Sequence, residues 1–159
     1  MAANIIYADF RKNFPDKATH TAAELYDSIG HHDKAINPNW RDSCGLRVSL
    51  ALVAVHVVIS PGFLTIKAGK YKGRRIETRQ KVLSAFLVKI WGAPEIFIGG
   101  DAARKGMRGR HGVVSFFKLY GPTDTQGHID LVGPDMYNDA TCVDACYWQS
   151  VEIWFWPLT

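Results

Sequence analysis

Apolar residues fall into two different rhythms along this chain. Leu46, Leu50, Val53, Ala54 and Val57 recur at helical spacing and gather on one face of an α-helix. Asp42 or Ser43 is suited to cap that helix, because either side-chain oxygen can accept a free backbone N–H of the first turn. Pro61 and Gly62 close the segment. An earlier helix is predicted where Thr21 leads into "AAELYDSIG", with Gly30 as its stop. Between the two, "HHDKAINPNW" reads as a loop with a turn at Asn37, Pro38 and Asn39, since proline disfavours helix in the residue before it.

After "LTIKAGKYKGRR", which reads as a short strand and a basic turn, another helix presents Leu83, Phe86, Leu87 and Ile90 on one face. Gly92 and Pro94 end it. The rhythm then changes. "EIFIGG", "GVVSFFKLY", "GHIDLV" and "SVEIWFW" are short, rich in β-branched and aromatic residues, and separated by turn formers. Helices first and strands later argue for an α+β fold with N-terminal helices packed on an antiparallel sheet. No boundary divides the sequence, so residues 1–159 are expected to form a single domain.

Composition agrees with a globular chain: 47% of the 159 residues are apolar, too many for a disordered segment. The apolar run from Leu50 to Ile59 is too short to span a bilayer. The opening "MAANIIYADFRKNFPDK" lacks the basic leader, long apolar stretch and small-residue cleavage site of a secretory signal. Taken alone, that suggests a soluble cytoplasmic protein. The net charge of +4 is partly local. Lys67, Lys70, Lys72, Arg74, Arg75, Arg79 and Lys81 form one group, and Arg104, Lys105, Arg108 and Arg110 another. Such groups either attract a polyanion or are simply a solvated surface.

The candidate chemistry centres on three cysteines. Cys142 and Cys146 are four apart, and in a helical or turn conformation their Cα atoms come within about 6 Å, a separation a disulfide tolerates. A closed pair with Cys44 as the free thiol is the simplest partition; three reduced thiols are the cytosolic alternative. No Cys-x-x-Cys or His-x-x-x-His spacing supports a zinc site, and no metal or other cofactor is expected.

Cys44 falls in the first turn of the helix capped at Asp42 or Ser43. There the unpaired N–H groups favour a thiolate and can also stabilise a tetrahedral oxyanion, the Cys44 N–H among them. The other reading of a lone cysteine in an apolar helix is core filling. A cysteine hydrolase also needs a base. His31 and His32 sit in the polar loop, His20 at a helix start, His56 in the helical run and His111 beside a Gly/Arg-rich loop. His128 differs: it opens the strand "GHIDLV" after a polar loop, and Gly127 leaves room beside it. For the residue that orients the imidazole, Asp130 shares a strand face with His128, but its Cα stands roughly 7 Å away, which reads as poor for a direct bond. Asp139, returned by a turn through Gly133, Pro134 and Asn138, reads as the better partner, with Asn138 as an alternative.

Cysteine at a helix start, then a strand histidine, then a polar residue resembles the NlpC-type papain-like cell-wall peptidases. More narrowly, "DSCGLRVSLAL", "GHIDLV", the Cys142/Cys146 pair and the terminal "EIWFWPL" resemble the fourth family of type VI amidase effectors. The resemblance implies a papain-like fold, with Cys44 as nucleophile, His128 as base and Asp139 as orienter. It implies an effector made in the cytoplasm and injected by a type VI secretion machinery into the periplasm of a rival bacterium. The substrate would be the γ-D-glutamyl–meso-diaminopimelate amide of peptidoglycan stem peptides, and a cognate immunity protein would protect the producer. No nucleic-acid partner and no membrane span are expected. An oxidising periplasm also suits a Cys142–Cys146 disulfide. Two rival readings stay open at this point: a non-enzymatic module binding an anionic polymer, and a cysteine acyltransferase of the same fold.

Overall fold

The computed structural model describes residues 4–133 and 145–159, the side chains of Ala145 and Cys146 excepted. In chain order the described elements are α1 (Tyr7–Asn13), α2 (Ala22–Ser28), α3 (His32–Ala35), α4 (Cys44–Ala54), β1 (Leu64–Thr65), β2 (Arg75–Ile76), α5 (Gln80–Trp91), β3 (Glu95–Ile98), α6 (Gly100–Met107), β4 (Gly112–Phe117), β5 (Gly127–Val132) and β6 (Glu152–Pro157). Short 3-10 helices occupy Pro38–Trp40 and Ala145–Gln149. The class is α+β, as the order of helical and strand patterns implies. The chain divides into two compact units, Met1–Ala8 with Gln80–Thr159, and Asp9–Arg79.

In the first unit, β3, β6, β4 and β5 lie side by side in that order, every neighbour antiparallel. The register aligns Phe97, Ile153, Phe116 and His128 in one row across the sheet. Glu95, Phe155, Val114 and Asp130 form the row two residues away. Strand side chains alternate between faces, so these two rows share a face. On that face Val114, Phe116, Val132, Ile153 and Phe155 pack with Ala103 and Met107 of α6 and with Trp148 of the 3-10 helix Ala145–Gln149. Burying an aromatic or large aliphatic side chain contributes about 1.5–3 kcal/mol, so this cluster is a major source of stability.

The opposite face takes α5. Ser84 donates to the Gln80 carbonyl at 2.7 Å, and its hydroxyl meets that of Ser115 at 2.7 Å. The Trp156 indole N–H donates to the Gly92 carbonyl at 3.1 Å, just past the helix end. These buried polar groups are paired, so they specify how α5 lies on the strands without the penalty of an orphaned donor.

In the second unit, Thr21 caps α2 by accepting the Glu24 N–H at 3.1 Å, and its hydroxyl meets the Glu24 carboxylate at 3.0 Å. Gly30, at φ +84°, supplies the left-handed residue that ends this helix. α4 begins at Cys44, where the predicted cap at Asp42 or Ser43 places it, but stops at Ala54, short of the predicted Val57. His56 takes φ 69°, its N–H bonds the Val53 carbonyl at 3.0 Å, and the Val57 N–H bonds Leu52 at 2.9 Å. That is a Schellman ending, and it satisfies two terminal carbonyls before the apolar run is exhausted. Nor is α4 buried on one stripe alone: Cys44 through Ser49, and Ala51 through Val53, are all buried.

Of the two candidate caps, Asp42 is the one that accepts a first-turn N–H. Ser43 is the N-cap by position, but its hydroxyl accepts from the Arg47 guanidinium at 2.9 Å. Asp42 instead accepts the Cys44 N–H at 3.2 Å. Arg47 also donates to the Pro15 and His20 carbonyls at 2.8 Å each, so this buried cation is held by three acceptors. The loop predicted for "HHDKAINPNW" contains α3 and the 3-10 helix Pro38–Trp40. His31, read from the sequence as part of a polar loop, is buried, and its Nε2 bonds the Thr65 carbonyl at 2.7 Å.

Candidate active site

Cys44 is the first residue of α4 and its side chain is 4% exposed. Its neighbour Gly45 lies against the Thr78 backbone carbonyl, where any Cβ would collide. Glycine at 45 therefore lets the chain near Thr78 approach the helix start and fixes the backbone beside the thiol. The Asp42 carboxylate on the Cys44 N–H has a second consequence. The oxyanion donor expected from the sequence is already engaged, and it would serve a substrate only by exchanging that partner.

Tyr26 of α2 adds to the electrostatics around Cys44. Its side chain is fully buried, edge-on to Trp40 with ring centroids 5.7 Å apart, and among the described residues its hydroxyl has no hydrogen-bond partner. Burial first, then the negative charge of Asp42, then that of Cys44, push its pKa up to about 12.

In the other unit, β5 supplies His128 and Asp130, each 5% exposed. The His128 Nε2 and an Asp130 carboxylate oxygen are 3.0 Å apart. This corrects the sequence argument against a direct bond. The backbone separation of two strand residues is real, but both side chains rise from the same face and lean together, closing the gap. The other Asp130 oxygen accepts the Leu131 N–H at 2.8 Å, which fixes the carboxylate. A carboxylate oxygen accepts, so Nε2–H donates, and in the neutral ring the basic lone pair lies on Nδ1.

Sequence reasoning missed Tyr147. Its ring stacks on the His128 imidazole at a centroid distance of 3.9 Å and 10° between planes. Phe116, directly across from His128 in β4, stands at 6.1 Å. The only signal was the aromatic pair following Cys146, which does not reveal its target. The room beside Gly127 is occupied: the Gln80 carboxamide fills it, and the same side chain donates to Ser115 at 2.6 Å.

Asp139, Asn138 and Cys142 lie outside the described residues, as does the side chain of Cys146. Two of the other histidines are engaged elsewhere: His111 stacks on Tyr7 at 4.3 Å, and His32 meets Asp27 at 3.0 Å. Both basic groups are partly committed to structure. Arg75 donates to Pro61, Gly62 and Thr65, Arg79 binds Glu77, and Arg110 binds Glu95. These bonds weaken the reading of a polyanion-binding module. A cavity of about 340 Å³ lies between Leu25, Ile29, Leu50, Ala54, Ile66 and Tyr71, and neither Cys44 nor His128 lines it. Among the described residues, no group of three or more His, Cys, Asp or Glu side chains is placed to hold a metal ion, and no helix is long and apolar enough to cross a membrane.

Comparison with known proteins places the chain in a family. The family described as type VI secretion system (T6SS), amidase effector protein 4, Tae4, matches residues 40–156. That is most of the chain, so the chain belongs to this family: it is a type VI amidase effector. Its fold is similar to the Tae4–Tai4 effector–immunity complex from Enterobacter cloacae, at 16% identity and a TM-score of 0.76, covering 98% of this chain and 99% of that one. It is also similar to the effector Tae4 from Enterobacter cloacae, at 17% identity, TM-score 0.76 and 98% coverage of both chains. A Tae4/Tai4 structure from Salmonella typhimurium aligns at 20% identity and TM-score 0.64, covering 96% of this chain and 95% of that one. No curated protein matches the chain by sequence. The fold expectation, an α+β papain-like architecture, therefore holds.

The Tyr26 environment makes a prediction. In the unfolded chain its phenol ionises around 10.0, and in the folded protein only near pH 12. The folded state thus holds this proton more tightly, and its contribution to stability is complete below pH 10 and lost as pH rises toward 12. Tyr26→Phe removes that loss and also removes an unpartnered buried hydroxyl, whose burial costs about 1–3 kcal/mol. Chemical denaturation at pH 8 and at pH 11.5 should show a smaller alkaline loss in Tyr26→Phe than in wild type. Identical losses would contradict this account of the site.

Proposed function

We propose that this effector cuts peptidoglycan stem peptides at the γ-D-glutamyl–meso-diaminopimelate amide, with Cys44 as nucleophile and His128 as base, the whole chain forming one catalytic domain. The observation that carries the reading is the position of Cys44 as first residue of α4, in a chain of the type VI amidase effector family. At a helix N-terminus the unpaired N–H groups favour a thiolate.

His128 Nδ1 takes the thiol proton, and the sulfur attacks the amide carbon. The tetrahedral intermediate collapses as the C–N bond breaks, and the imidazolium returns the proton to the leaving amine. Water, deprotonated by the same imidazole, then hydrolyses the thioester and releases Cys44.

Two carboxylates compete for the role of orienter. Asp139 is the residue the family resemblance indicates. Asp130 has the bond to Nε2, and an imidazole using Nδ1 for catalysis has only Nε2 left for an orienting partner. The direct bond favours Asp130.

The family assignment also supports delivery by the type VI machinery to a recipient's periplasm. The similar Enterobacter cloacae effector was solved with the immunity protein Tai4, which supports a cognate immunity partner for this chain as well. Cys142 and Cys146 are proposed to form a disulfide in that compartment. Thiol titration of the unfolded, non-reduced protein should then count one free thiol, and a count of three would refute the bridge.

Incubating purified sacculi with wild type and variants, and resolving the muropeptides by mass, tests the rest. Wild type should release fragments cut after D-glutamate, and Cys44→Ala should release none above background. Equal cleavage by both removes Cys44 from the mechanism. Asp130→Asn should slow cleavage by about 10²-fold or more, because the amide can present the wrong donor and acceptor to the ring. Damage confined to Asp139→Asn would instead return the orienting role to Asp139.

A further inference from the structure

One hydrogen bond holds a single atom of a ring and leaves its plane free to pivot. Asp130 fixes Nε2 of His128 in this way, and the χ2 torsion of histidine is broad, so the bond alone leaves the direction of Nδ1 loose. A flat surface in contact with the ring removes that freedom. Tyr147 is such a surface, at 3.9 Å and 10° from parallel. Phe116 lies farther off at 6.1 Å with its plane inclined by 29°, so it guards the ring without fixing it.

Tyr147 is itself held on several sides. Its ring packs against Phe116 at 5.7 Å, and the adjoining Trp148 meets Phe116 edge-on at 5.4 Å. The Arg104 guanidinium covers Trp148 at 5.1 Å. Gly100, at the start of α6, lies against the Trp148 carbonyl where a Cβ would collide, so α6 and the 3-10 helix Ala145–Gln149 approach closely. The 3-10 helix is therefore held at Tyr147 and Trp148, by Phe116 of β4 and by Gly100 and Arg104 of α6.

We infer that Tyr147 is a positioning residue: its ring fixes the plane of the Asp130-bound His128 imidazole and so aims Nδ1 in one direction. The inference rests on the reading of His128 as the base. It concerns the ring and not the hydroxyl, since the contact is face to face. A misaimed base loses turnover much more than substrate affinity, because proton transfer is sensitive to angle while ground-state binding is made elsewhere.

The test uses full-length Tyr147→Phe, Tyr147→Leu and Tyr147→Ala with His128→Ala as reference, assayed on a soluble stem peptide. Tyr147→Phe should keep the wild-type kcat. Tyr147→Leu and Tyr147→Ala should lose about tenfold in kcat, the scale of one aromatic contact, with KM changed less than about twofold. Melting curves establish that each variant is folded at the assay temperature. Independently of activity, the carbon-bound ring protons of His128 should show the upfield NMR shift of a stacked ring in wild type and Tyr147→Phe, and lose it in Tyr147→Leu.

Wild-type kcat in a folded Tyr147→Leu would overturn the inference, as would a loss that Tyr147→Phe shares, or ring-proton shifts indifferent to residue 147. Undiminished cleavage by His128→Ala would instead overturn the assignment of the base. The NMR shifts would still report whether the ring is stacked.

Discussion

The buried contact between His128 and Asp130 is the constraint on which the rest of this site depends. Both groups are ionisable and almost wholly removed from water, an arrangement that is costly unless each satisfies the other. The sheet makes the pairing automatic. Two residues apart on β5, both side chains rise from one face, beside Phe116 and Val114 of β4 in register. The Leu131 N–H takes the second carboxylate oxygen. Once that bond forms, the tautomer of the ring is settled and its basic nitrogen is Nδ1.

Other features of the first unit serve this pair. α6 and the 3-10 helix Ala145–Gln149 cover the same sheet face with Ala103, Met107 and Trp148, and present Tyr147 to the imidazole. α5 occupies the other face through Ser84, Ser115 and Gln80. In the second unit the buried Arg47 secures the start of α4 by tying Ser43 to Pro15 and His20, so the segment bearing Cys44 is held through polar bonds as well as packing.

Much of the fold was legible in the residues. The strands from Glu95 onward carry β-branched and aromatic runs between turn formers, a local signal that survives translation into structure; of the stripe predicted for α5, Leu83 and Leu87 are buried, whereas Ile90 is exposed and Ser84 and Trp91 are buried instead. α6 was missed because "GGDAARKGM" begins with two glycines, which read as breakers, and buries only Gly100, Ala103 and Met107. The helix holds because Asp101 sits in its first turn and Arg104 and Lys105 in its last, complementing the dipole, while Gly106 makes room for the Phe97 ring. The early end of α4 depends on His56 adopting a left-handed conformation, which its sequence does not announce. At the site, Cys44 and His128 stood out by residue type and by the elements they open. The Asp130 bond was underestimated because backbone spacing was taken for side-chain reach. Tyr147 was invisible because stacking between distant segments leaves no periodicity.

The most direct test of the account is the protonation state of one ring. In protein labelled with ¹⁵N-histidine and assigned through a His128 variant, the neutral His128 imidazole should carry its proton on Nε2, with Nδ1 bare. A proton on Nδ1 would mean that Asp130 does not set the tautomer, and it would remove the basic lone pair from the nitrogen to which the mechanism assigns it.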